Sequence, residues 1–139
     1  MNLIDTEIIE KIYIEAKNSP RKRSHYLLHK SHQDKVQRLL IALVSGSYIE
    51  PHYHELDHQW EMFFILEGTL EINIHDSKGS KVRTKIIGDN TQFKAVEIKP
   101  NEIHSLKCLS KKALILEIKE GPFNHNNPKI LLNYPTKKS

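Results

Sequence analysis

The sequence holds a single cysteine, Cys108, among 139 residues, which excludes an internal disulfide. Its longest wholly apolar run, Leu39 to Val44, is six residues, far short of the ~20 that a membrane-spanning helix needs. The opening segment MNLIDTEIIEKIY carries Asp5, Glu7 and Glu10 where a secretory signal requires an uninterrupted apolar stretch. These absences predict a cytoplasmic protein with no membrane partner. Internal repeats and low-complexity segments are missing too. The net charge of +4 comes from lysines scattered along the chain and thinning into the tail PTKKS. Basic and aromatic residues do not interleave, so no nucleic-acid partner is expected. The one dense basic cluster, Arg21-Lys22-Arg23, reads first as a solvated loop and second as an anion-binding or subunit-contact element.

What is present is ordinary globular composition, 38% hydrophobic and 27% charged, at the length of one domain. A chain of this size buries roughly two thirds of its unfolded surface, enough for a stable core without a structural metal. Any metal is therefore expected to serve function before stability. Residues 1–20 read as a short amphipathic helix and linker, with Ile8, Ile9, Ile12 and Ala16 on one stripe, an Asp5 or Thr6 cap, and a stop at Asn18-Ser19-Pro20. Beyond it the pattern changes to period two and short apolar runs. Strands are predicted at His25–His29, Val36–Val44, Tyr48–His54, Met62–Leu66, Thr69–His75, Val82–Ile87, Ala95–Ile98, His104–Leu109 and Ala113–Lys119. Short strands separated by turn residues predict an all-β sandwich or barrel over residues 21–121. The tail, 122–139, has no clear period; its Ile130, Leu131, Leu132 and Tyr134 suit covering a barrel face or a partner subunit.

Ligand chemistry concentrates at PHYHELDHQWEMFFILEG, Pro51 to Gly68. His52 and His54 are two apart, so on a strand their imidazoles leave one face with Cα atoms ~7 Å apart. Glu61 follows after a loop, and His104 opens a later strand behind the turn Pro100-Asn101, where Asn101 suits a left-handed backbone. Three imidazoles and a carboxylate suit a divalent ion such as Zn, Fe, Mn, Ni or Co.

The segments GSYIEPHYH, EMFFILEG and PNEIH resemble the two cupin motifs. Nearly the whole chain, including SPRKRSHYLLHKSHQDKVQRLLIALV, HQWEMF and EGPF, is similar to the WbuC family of cupin-fold metalloproteins, which are associated with bacterial surface-polysaccharide gene clusters. The resemblance implies a double-stranded β-helix, the cupin or jelly-roll barrel, with one metal held by His52, His54, Glu61 and His104. The loop ELDHQW is longer than the usual cupin spacing and contains His58, which makes His58 the rival fourth ligand.

Arg21, Arg23 and Arg38 are candidates for substrate contact, since a guanidinium fork grips phosphate or carboxylate. Arg38 reads equally well as a salt-bridge partner. Tyr48 and Trp60 offer aromatic walls for a sugar ring, and His25, with His29 and His32, reads as hydrogen-bonding or pocket wall. Cys108 reads as a buried inert thiol, and Met62 to Leu66 as core. The expected function is a metal-dependent cupin; the fold does not fix the reaction, since cupins include isomerases, epimerases, dioxygenases, decarboxylases and pure binding modules. Its expected ligand is a small polar metabolite such as a sugar or sugar-nucleotide of O-antigen synthesis, bound by a homodimer. The alternatives are a non-catalytic metal-dependent binding or regulatory domain, and a metal-free sugar-nucleotide ketoisomerase using a histidine as acid or base.

Overall fold

In the computed structural model, which describes residues 1–123, 125–126 and 128–132, the chain begins with helix α1 (Thr6–Asn18). Tyr134 and the basic tail lie outside the described residues. Asp5 caps the helix, its carboxylate accepting from the Ile8 amide at 3.0 Å. The helix buries Ile12, Tyr13 and Ala16, whereas Ile8 and Ile9 stay half-buried. Tyr13 belongs to the stripe because it lies one turn before Ala16, and its hydroxyl donates to Glu67 at 3.1 Å.

Ten strands follow: β1 (Arg23–Leu27), β2 (Val36–Val44), β3 (Tyr48–Tyr53), β4 (Glu61–Glu67), β5 (Thr69–His75), β6 (Lys81–Gly88), β7 (Ala95–Ile98), β8 (Ile103–Cys108), β9 (Lys112–Glu120) and β10 (Ile130–Leu131). They form two five-stranded antiparallel sheets, ordered β1-β2-β9-β4-β7 and β10-β3-β8-β5-β6. The all-β architecture with one short N-terminal helix is as the period-two pattern predicts. β10 pairs Ile130 with Tyr53 and Leu131 with His52, too short a ladder to show a period in sequence.

The expected strand His25–His29 ends two residues early and begins two early. His29 instead enters a loop tied to β2. The buried Gln37 amide donates to the carbonyls of Ser31, His32 and Asp34, which folds residues 31–34 back against the strand. The unbroken apolar run of β2 has two jobs. Leu39, Ile41 and Leu43 fill the space between the sheets with Phe63, Ile65, Leu70, Leu106 and Ile115, while Leu40 and Ala42 pack on Ile12, Tyr13 and Ala16 of the helix. A strand covered on both faces has no reason to alternate. Each fully buried Leu or Ile contributes ~1.5–3 kcal/mol relative to an exposed one. Phe63 and Ile65 of β4 belong to the inter-sheet core, but Leu66 is exposed. Cys108 is buried in the same core.

Candidate metal centre

Two features of β3 and β8 set up the site. The ladder between them shifts register between Ile49 and His52, around Pro51, which has no N–H to give to a ladder. Past this bulge His52 lies directly opposite His104, with ring centroids 4.2 Å apart. Behind His104, Asn101 takes the left-handed conformation expected of it, φ 67°, and its amide donates to the His54 carbonyl at 2.7 Å. That bond joins the two histidine-bearing segments. Glu61 arrives from the other sheet, where β4 lies between β9 and β7. The carboxylate therefore reaches the imidazoles across the barrel rather than from a neighbouring strand.

The donor atoms of His52, His54, Glu61 and His104 all lie within 4.8 Å of one another. The Nδ1 of His52 donates to the Glu50 carbonyl at 2.7 Å, and that of His104 to the Glu102 carbonyl at 2.9 Å. A carbonyl only accepts, so each Nδ1 carries a hydrogen, and in the neutral ring each Nε2 keeps its lone pair for a metal. Among the described residues, the Nε2 atoms of His54 and His104 are the buried side-chain nitrogens or oxygens without a hydrogen-bond partner. Glu61 Oε1 contacts His54 Nε2, and Oε2 stands 3.6 Å from His104 Nε2. Buried imidazole nitrogens without a hydrogen bond, converging on a buried carboxylate, form a donor set that suits a divalent cation, and the residues fit one. His52, His54, Glu61 and His104 would hold it, and the ion would supply Lewis-acid polarisation or an acidified water. His58 lines a small recess beside His54 and Glu61 and is not part of the four-donor cluster.

Burial alone pushes the Glu61 carboxyl up, but the imidazoles of His104 and His54 outweigh it and hold the group well below the usual carboxylate range. Burial, and then His104, lowers His52 to about 4, which keeps it neutral. For His104 burial lowers the pKa, yet the Glu61 carboxylate more than compensates and raises it.

The cluster opens into a cavity of about 650 Å³ between the sheets. Arg21, Arg23 and His25 line it, as do His29 and His32. The basic run 21–23 is thus not merely a solvated loop; a left-handed Lys22, φ 57°, separates two arginines that share the cavity. Arg23 Nη1 donates to the Tyr48 carbonyl at 3.2 Å. His29 is buried, its Nδ1 3.0 Å from the Arg38 amide.

Three sequence candidates do not line the cavity. Arg38 has the face parity of Leu40 and Ala42, so its exposed side chain points to the helix side of the sheet. Tyr48 contributes its carbonyl, while its side chain is exposed. Trp60 donates from Nε1 to Glu120 at 3.2 Å.

Glu117, Lys119 and Lys129 line the cavity although the sequence reading did not single them out. Glu117 and Lys119 share face parity with Ala113 and Ile115 in KALILEIKE, so polar residues at inward positions of an apolar strand were the available signal. Burial, then the Glu61 charge, raises the Glu117 carboxyl to about 7. Lys129 had no such signal.

Several solved structures share this fold. The capsular polysaccharide assembling protein CapF of Staphylococcus aureus is 18% identical with a TM-score of 0.68, over 84% of this chain and 33% of CapF. The DMSP lyase DddQ of Ruegeria pomeroyi is 18% identical with a TM-score of 0.60, over 82% of this chain and 53% of DddQ. A cupin superfamily protein of Desulfitobacterium hafniense is 16% identical with a TM-score of 0.54, over 70% and 76% of the two chains. This chain spans about a third of CapF. The fold is that of the cupins. No curated protein matches in sequence. Residues 4–87 match the family described as a domain of unknown function, DUF6016, and the chain belongs to that family.

Proposed function

We propose that the protein is a metal-dependent cupin acting on a small polar metabolite, a sugar or sugar-nucleotide of bacterial surface-polysaccharide synthesis. The observation that carries the metal part is the convergence of three imidazoles and Glu61, with two buried Nε2 atoms in no hydrogen bond, open to a cavity of ligand size. The pathway part is supported by the WbuC-like segments of the sequence and by the likeness to CapF, a capsular polysaccharide assembling protein. Catalysis is favoured over simple binding because Glu117, a carboxyl outside the ligand set, lines the same cavity. Membership of the WbuC family, a homodimeric state and a cytoplasmic location belong to the same proposal; sedimentation velocity and cell fractionation test the last two.

The deciding experiment is elemental analysis of protein purified without chelators. About one divalent ion per chain is expected, lost in His104→Ala and retained in His58→Ala. Loss of the ion in His58→Ala with retention in Glu61→Gln would reassign the fourth ligand, and metal-free wild type would overturn the centre. A mass-spectrometric turnover screen of sugars and nucleotide-sugars then tests the substrate class.

A further inference from the structure

Arg21, Arg23, Lys119 and Lys129 line one cavity with His25, although they come from three separate segments of the chain. None of the ion pairs among the described residues involves any of the four. Glu50 is close enough to act electrostatically on Arg23 and Lys129, but it forms no ion pair with either. The cations instead act on one another: Arg21 and Arg23 both disfavour the charge on Lys129, and all four disfavour a charge on His25. Lys119 has Glu117 within electrostatic reach and lies over the Phe123 ring at 5.8 Å, whereas Lys129 feels Glu61 as well as Glu50; the positive charge without an ion pair that faces the cavity is centred here on Arg21, Arg23 and Lys129. The Arg23 fork is anchored through Nη1 on the Tyr48 carbonyl, which leaves its remaining N–H donors for a ligand. A divalent ion at the metal centre would offset Glu61 and leave the cavity more positive still.

We infer that Arg21, Arg23 and Lys129 form an oxyanion subsite, and that the ligand of the metal centre carries a phosphate ester or a carboxylate seated there. Like charges gathered on a concave wall and held in no ion pair cost free energy, and a bidentate oxyanion offsets that cost. A lone inorganic ion would leave most of the 650 Å³ cavity unfilled, so the oxyanion is one end of an organic molecule. The inference rests on the proposed small-metabolite site, but the subsite stands on its own residues.

Isothermal titration of metal-loaded protein with glucose, glucuronate and glucose 1-phosphate tests it. At least one of the anionic sugars is expected to bind about tenfold or more tightly than glucose, weakening as NaCl rises. Preference for glucose 1-phosphate assigns a phosphate ester, and preference for glucuronate a carboxylate. The double variant Arg21→Ala, Lys129→Ala should abolish the preference while leaving metal content and the far-UV circular dichroism unchanged; both side chains are exposed, so folding is preserved. Equal affinity for the three sugars, no binding of any, or a preference that survives the double variant overturns the subsite. Anion preference in a protein without metal would sink the metal reading and leave the subsite standing. A stoichiometric metal without the preference would do the reverse.

Discussion

His25 shows how one residue couples the cavity to stability. Water reaches its ring, yet partial loss of solvent, followed by Arg23, Arg21, Lys119 and Lys129, lowers its pKa to about 4, against ~6.5 in an unfolded chain. Between those values the unfolded chain holds the extra proton and the folded one does not. Stability therefore falls as pH drops through that window and levels off below it. Urea midpoints measured from pH 7 to pH 4 should decline less steeply in His25→Asn than in wild type; equal slopes would remove His25 from the acid response. At this scale the clustered donors were legible, because His52 and His54 two apart and His104 after a turn are local facts of spacing. The substrate candidates were only partly so. Arg21 and Arg23 reach the cavity, but Arg38 does not, since its strand is apolar on both faces and the sequence shows no parity there.

Elements carry the next set of consequences. Gly68 sits between β4 and β5 with φ 83°, and a Cβ there would meet the Lys112 carbonyl oxygen at 2.2 Å and Ala113 Cα at 2.7 Å. Gly68→Ala is expected to destabilise by on the order of 1–3 kcal/mol, from the left-handed backbone together with a clash against main chain that cannot swing aside. A chemical-denaturation midpoint equal to wild type would show that the turn relaxes freely. Leu43, fully buried between the sheets, should cost ~2–5 kcal/mol when cut to alanine. Strand positions were legible to within a residue or two where turns are chemically marked, as at Asp76, whose carboxylate accepts from the Lys78 and Ser80 amides at 2.9 Å. The extent of β1 was not, because the Gln37 amide that gathers the following loop acts through contacts the sequence does not order.

For the molecule as a whole, the cavity is walled by core residues such as Leu39, Ile41, Phe63, Leu106 and Ile115, so the sheets are held by apolar contacts that do not need the ion. The four candidate donors are polar groups at one end of that apolar packing. Chelation is therefore expected to leave the β-type circular dichroism intact while lowering Tm. A free ion at a hundred times its Kd contributes ~2.7 kcal/mol, a loss on the order of 10 °C for a chain of this length. Collapse of the spectrum on chelation would make the metal structural instead.

The sequence by itself determined the all-β class, the capped helix, most strand positions and the identity of the clustered donor residues, since period, caps, turns and HxH spacing are written in neighbouring residues. Only the tertiary structure decided that Glu61 meets the histidines from the opposite sheet, that Arg38 looks away, and that Lys129 joins Arg21 and Arg23. Which strands face each other across a barrel depends on closing long loops and matching registers between distant segments, and no local pattern encodes that choice.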